Sequence, residues 1–421
     1  MTSSWHSRLR NELLIFGCAY SILIGTLSYI VDYSDRRIVH KKWFRIWAYI
    51  MNIIIMGSIP VLAHLVSNKV TSLESNWLML HTDYVLGGVR LVLVTLIILL
   101  RRQRERVLLQ STKILFAMDA RYAQLLQPVP ALDKKLNYMY IIKHITTVLQ
   151  SVITFTTTLF IIREITWEGL LVAVYLANVQ NVIHSTLFQF FTSLMHLQSR
   201  FLYLNRQLKL LQRSLRFSND KIGRHRRRQH IYAMKQLRDM SRAHFMLTIL
   251  AQRLTDCLKY TALGALLGFL LQHVIFGYYG LMLLGRADIY LFMSSITVAV
   301  GGFFYFLLHV DLYIFFWNCE ATTAAHHRTG QLLRLYHQLP QLSPGLARQL
   351  ELFSLQLAQS QFQINAGGMF TLNNASALAL SAYILHTILI LVQYDFENRI
   401  KTLRNQLDLK WKAEIEDFIM E

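Results

Sequence analysis

The chain is 421 residues long, with 54% hydrophobic and only 16% charged residues. Soluble domains carry about 25% charged residues, and several uncharged apolar runs approach the ~20 residues that cross a bilayer. Composition therefore excludes an ordinary soluble protein and points to an all-α, polytopic membrane protein. The net charge of +19 does not imply nucleic acid. The basic residues cluster between apolar runs, where they face anionic lipid, and the densest cluster, KIGRHRRRQH at 221–230, reads as juxtamembrane.

Apolar stretches follow in chain order at about 13–31, 44–66, 81–100, 141–163, 169–197, 256–283, 288–317 and 376–394. The first has no small-residue cleavage site and runs into YSDRRIVHKKWFR, so no cleavable signal peptide is expected. It either spans or lies along the inner interface. The other seven are read as membrane helices. Their links alternate in Lys plus Arg: eight in 101–140 and fourteen in 198–255, against one in 67–80, none in 164–168 and one in 284–287. Positive charge inside puts the loops after the second, fourth and sixth of these seven spans in the cytoplasm and the C-terminus outside. A G-protein-coupled receptor has the reverse orientation.

Within 198–255, Leu197, Phe201, Leu204, Leu208 and Leu211 recur near helical spacing. The fourth span is therefore expected to continue as a helix beyond the membrane. Cys18, Cys257 and Cys319 are far apart and show neither a disulfide framework nor metal spacing. His326-His327 resembles a metal pair only superficially. No nucleophile–base set, phosphate loop or paired catalytic carboxylates occurs, so neither an enzyme nor a cofactor or metal is expected.

The last apolar helix, SALALSAYILHTILILVQY at 376–394, has no formally charged residue. Tyr383, His386, Thr387, Gln393 and Tyr394 fall within an arc of about 120° at 100° per residue. Such a stripe lines a narrow pore or packs a polar seam against a partner. Rings of His386 and Gln393 would pass cations with weak selectivity, since no acidic ring is present. Ile390 and Leu389 would form an apolar constriction. A pore-lining His386 would also make current pH-sensitive, although a lone histidine on a membrane helix is more often a packing residue.

From Phe353 the chain reads FSLQLAQSQFQINAGGMFTLNNASALALSAYILHTILILVQYDF, which resembles the C-terminal signature of insect gustatory receptors. Phe353, Leu355, Gln356, Leu357, Ala366, Gly368, Phe370, Thr371, Leu372, Asn373 and Gln393 match it without a gap. His386-Thr387 stand where the family has Thr-Tyr, and Tyr394 where it has Phe. The opening run LLIFGCAYSILIGTLSYIVDYSDRRIVHKKWFRIW is similar to the family's first segment, in which a cytoplasmic apolar helix precedes the first crossing.

The resemblance implies a ligand-gated, non-selective cation channel in the plasma membrane of a sensory neuron. It would assemble as a homo- or heterotetramer with other gustatory receptors and open to small organic tastants, with bitter-type compounds favoured by the His386-Thr387 departure. It divides the chain into a cytoplasmic segment with an interfacial helix at 1–43, a six-helix bundle with a ligand pocket at 44–317, a cytoplasmic anchor at 318–375, a pore-lining seventh helix at 376–394 and an extracellular tail at 395–421. Gln393 and Tyr394 would form or flank the gate.

Pocket candidates are polar or aromatic residues in the outer halves of the spans: Asp83, Tyr84, Arg90, Trp167, Tyr175, Asn178, Asn181, Gln272, His273, Tyr279, Asp288 and Tyr290. For each of them helix-packing glue is the competing role. A G-protein-coupled chemoreceptor or a secondary transporter are the alternative classes; the second needs inverted repeats and charged, broken helices, which the sequence lacks. Asn374-Ala-Ser376 is formally a glycosylation sequon but sits at a helix start, where capping is the simpler role. In the tail, Ile400, Leu403, Leu407, Trp411 and Ile415 sit at helical spacing, which fits an amphipathic helix packed on the receptor or its copies as well as a dangling end.

Overall fold

The computed structural model describes residues 5–33, 35–70, 77–161, 166–218, 224–285, 295–339 and 342–420. The described chain is almost wholly helical. Helix α1 spans Trp5–Leu23, α2 Lys42–Val70, α3 Trp77–Leu99, α4 Arg101–Arg121, α5 Pro130–Ile161 and α6 Trp167–Ser218. Then come α7 at Arg224–Gly285, α8 at Ser295–Arg334, α9 at Pro344–Gln359 and α10 at Asn374–Met420. Each of the seven apolar stretches falls on one helix, α2, α3, α5, α6, α7, α8 and α10 in turn, with 162–163 of the third stretch and 288–294 of the sixth outside the described residues.

The first stretch, 13–31, is not one helix. α1 stops at Leu23, and Gly25 takes φ +86°, a left-handed conformation that glycine adopts without strain. The Thr26 amide then closes the helix end on the Ser21 carbonyl at 2.8 Å. Two short antiparallel strands follow, β1 at Ile30–Asp32 and β2 at Arg37–Val39. The Ser185 hydroxyl of α6 bonds those of Ser21 and Thr26 at 2.8 and 2.9 Å. The Arg101 and Arg104 guanidiniums of α4 donate to the carbonyls of Gly25 and Thr26 at 3.4 and 3.3 Å. The α1 turn is thus welded to two helices, and burial lowers Arg104 to about 10.

Helices α6, α7 and α8 have 52, 62 and 40 residues. At 1.5 Å per residue α7 is about 93 Å long, three times the ~30 Å hydrocarbon thickness. These helices therefore continue beyond the bilayer at one end of the bundle. There Leu197, Phe201, Leu204, Leu208 and Leu211 are buried, as their spacing predicted, against Leu237, Met240 and Leu247 of α7 and Phe316, Leu333 and Tyr336 of α8 and its continuation.

Buried polar groups tie this platform together. Asn205 donates to the Ala325 carbonyl and accepts from Thr329, both at 2.7 Å, and the Tyr336 hydroxyl donates to the Leu208 carbonyl at 2.5 Å. Arg200 of α6 pairs with Asp119 of α4 at 2.7 Å. The rings of His244 and His326 lie 4.8 Å apart among Phe201, Phe353 and Phe362. Burial holds both imidazoles below their ordinary pKa, His326 at about 4, with the neighbouring His327 and His326 as second causes.

Candidate pore helix and bundle interior

The residues of the C-terminal signature build a device that docks α9 and launches α10. Phe353 is wholly buried against His244 of α7. Gln356 bonds Ser241 reciprocally: its carbonyl accepts from the hydroxyl at 2.6 Å and its amide donates to the backbone at 3.1 Å. A hairpin of β3 at Asn365–Ala366 and β4 at Phe370–Thr371 follows. Gly367 and Gly368 turn it with φ +59° and +81°. A Cβ on Gly367 would lie 2.7 Å from Leu263 of α7, so that glycine also permits close approach.

Asn373 then caps α10: its side-chain oxygen accepts the Ser376 amide at 2.8 Å. The cap is therefore Asn373 rather than the sequon residue Asn374, whose backbone amide instead meets the Glu320 carboxylate of α8 at 2.7 Å. That carboxylate also suits the positive end of the helix dipole.

The two faces of α10 differ. Ile384 and Ile388 are 1% and 3% exposed, packed on Val274 of α7 with Leu380 and Leu391 beside them. Across the helix, Tyr383 is 57% and Tyr394 48% exposed. His386, Ile390 and Gln393 are exposed on the same side, and Thr387 is half-buried, its hydroxyl returned to the Tyr383 carbonyl at 2.8 Å. The polar arc thus points away from the chain's own bundle. The contact behind it is tight: a Cβ on Gly277 of α7 would lie 2.3 Å from Ile388 Cδ1 and 3.0 Å from the Tyr305 hydroxyl.

Inside the bundle lies a polar set that the sequence reading did not single out, apart from His273. Lys143 of α5 and Asp311 of α8 form an ion pair at 2.5 Å with both side chains 1% exposed. Thr146 also donates to Asp311, at 3.2 Å. Gln150 donates to the Leu307 carbonyl at 3.1 Å, and Gln180 meets His184 at 2.6 Å. His273 Nδ1 bonds the Phe269 carbonyl at 2.6 Å, and its ring lies 4.5 Å from His309, which packs on Tyr305. Buried Gln150 Oε1, Gln180 Oε1, His184 Nδ1 and His273 Nε2 have no hydrogen-bond partner among the described residues. In an apolar medium each such atom costs about 1–3 kcal/mol, which a hydrogen-bonding ligand or water relieves. The available signal was a charge, amide or imidazole inside an otherwise apolar run.

The predicted pocket residues are spread among different settings. Asn181 accepts from Ser151 of α5 at 2.6 Å, and the Tyr175 hydroxyl reaches the Ile55 carbonyl of α2 at 3.5 Å. Gln272 is buried, Asn178 and Arg90 are half-buried, and Tyr279 packs on Tyr278 with ring centroids 5.9 Å apart. Trp167 is 82% exposed at the start of α6. Asp288 and Tyr290, and the side chains of Asp83 and Tyr84, lie outside the described residues. A cavity of about 310 Å³ between α4 and α7, lined by Gln103, Arg253 and Asp256 among others, contains none of the predicted pocket residues.

A bundle of apolar helices with long extramembrane extensions and a terminal helix that turns its polar face outward defines a class: the multi-pass α-helical membrane proteins. The sequence model of the 7tm chemosensory receptor family matches residues 14–398, and the chain belongs to that family. It is similar to two Drosophila melanogaster proteins named gustatory receptor 58b, 26% identical over 87 residues, and gustatory receptor 58a, 32% identical over 82 residues. The alignments cover 21% and 20% of this chain and 21% of each relative. Its fold matches the solved structure of olfactory receptor OR5 from Machilis hrabei in complex with eugenol, with a TM-score of 0.61 at 11% identity over 92% of this chain and 99% of the other. The structure of the same receptor described without eugenol matches with a TM-score of 0.59 at 10% identity.

Proposed function

We propose that four copies of this chain, or of this chain with other gustatory receptors, surround a cation pore lined by α10 and opened by small organic tastants. The observation that carries this reading is the outward polar arc of α10, with His386, Ile390 and Gln393 exposed opposite the buried Ile384 and Ile388. A membrane helix keeps such an arc from lipid by meeting water or other chains. In this reading the loop charges put the N-terminus and the α6–α9 platform in the cytoplasm and the end of α10 outside. Gln393 and Tyr394 sit at the outer gate, with Thr387 and His386 deeper and Ile390 between.

The ligand pocket lies among the outer halves of the helices, at Tyr175, Asn178, Asn181, Gln272 and Tyr279. The neighbouring Gln180, His184 and His273 offer unpartnered atoms to a ligand's hydroxyl or amine. The eugenol in the OR5 complex supports a small organic ligand, and the His386-Thr387 departure favours a bitter-type one.

The test is current recorded from cells expressing the chain, alone and with candidate partner receptors, against a tastant panel. Ligand-evoked cation current whose permeability ratios or block change in Gln393→Ala supports the reading. Silence from well-expressed tetramers across the panel opposes it. A C-terminal tag stained on intact cells checks the orientation, and its absence from the outer surface would favour a G-protein-coupled type.

A further inference from the structure

Helix α10 does not end with its membrane segment. It runs unbroken from Asn374 to Met420 and contains neither Gly nor Pro. The 26 residues after Tyr394 extend it by about 39 Å at 1.5 Å each. The family match stops at 398, so most of this extension is an addition to the shared fold.

The extension is amphipathic in the register of the pore arc. His386, Gln393, Ile400 and Leu407 stand seven residues apart, and Leu389, Phe396 and Leu403 occupy the positions three further on. That is one heptad seam with apolar residues replacing polar ones once the helix leaves the bilayer. Phe396, Ile400, Leu403, Leu407 and Trp411 are all exposed.

The opposite face switches in the reverse sense at the same point. Inside the membrane it carries Ile384, Ile388 and Leu391, packed on the chain's own bundle. Beyond it the same helical positions carry Asn398, Thr402 and Asn405, all exposed. Among the described side chains of 396–411 the chain's own bundle no longer covers the apolar residues, and their stripe points where the pore arc points. Copies entering one membrane in the same sense start their tails parallel and level.

We propose that the apolar stripe of residues 396–411 is covered by the same stripe of the other copies, closing the four tails into a parallel helical bundle that stands on the outer end of the pore. This rests on the tetrameric channel reading above. Charges of both signs beside the stripe, at Glu397, Lys401, Arg404 and Asp408, do not form the basic face of a helix lying on anionic lipid.

The experiment is disulfide trapping in the full-length chain. Leu403→Cys and Leu407→Cys lie on the seam and Asn405→Cys on the outer face, with the wild type as control for its three native cysteines. Each variant is expressed in cells, sized by native electrophoresis, oxidised mildly and run without reductant. Tetramers in which both seam cysteines link several-fold more than Asn405→Cys support the proposal. Tetramers in which neither seam cysteine links, or Asn405→Cys links equally, overturn it and leave the channel reading standing. A chain that is not tetrameric overturns both.

Discussion

Gly277 lies directly beneath Ile388: an added Cβ would meet its Cδ1 at 2.3 Å. The missing side chain lets α10 seat against α7 at the depth of its buried face. Gly277→Ala is expected to push α10 outward or strain the core, at a cost of about 1–3 kcal/mol. Ile388→Val removes the clashing methyl, so the double variant should recover most of the loss. Thermal melting of the four proteins of this cycle in detergent checks it, and an additive double variant would show that the two sites do not touch.

The buried Lys143–Asp311 pair makes a second prediction. Asp311→Asn leaves an ammonium uncompensated in the bundle and should destabilise by about 3–5 kcal/mol. Lys143→Met with Asp311→Leu removes both charges and should cost much less. Surface expression and melting temperature separate the two, and an equal loss in both would assign the pair a role beyond charge compensation.

The cap assignment separates two adjacent asparagines. Asn373→Ala loses the bond to the Ser376 amide and should cost about 1 kcal/mol. Asn374→Ala keeps its backbone bond to Glu320 and should change little. Hydrogen exchange in the first turn of α10 reads the difference directly.

His326, held near pKa 4 by burial, makes the platform acid-sensitive. The unfolded chain takes up its proton near pH 6.5, so the histidine contributes nothing to the pH dependence above that. Stability is then lost progressively as pH falls from 6.5 towards 4, by up to about 3 kcal/mol from this group alone. His244, shifted in the same direction, adds to the loss. His326→Leu should flatten the dependence of melting temperature on pH between 7 and 4, and an unchanged slope would assign the acid sensitivity to other groups.

Much of the architecture was legible because each membrane helix carries its own apolar run, and because Leu197, Phe201 and Leu204 announce the continuation of α6. The α10 stripe was legible for the same reason, since helical phase needs only local spacing. The bundle interior was not. Lys143 and Asp311 are 168 residues apart, and local spacing shows neither which helix each charge faces nor that the two meet. His273 was noticed as a polar residue in a span, but its neighbours His309 and Tyr305 belong to another helix. How the pocket candidates are arranged was not legible either, because polar residues on one span face different neighbours: Asn181 meets Ser151 of α5 and Tyr175 reaches Ile55 of α2.

One consequence follows from the hairpin at Asn365–Thr371. It joins α9, clamped to α7 by Gln356, to α10, which rests on the same α7 through Gly277. The long α7 rod therefore backs the α9 clamp, the two-glycine turn at Leu263 and the α10 seat alike. Gln393 stands 20 residues from the Asn373 cap, a lever arm of about 30 Å, so a tilt of about 5° at that fulcrum carries it about 2.6 Å.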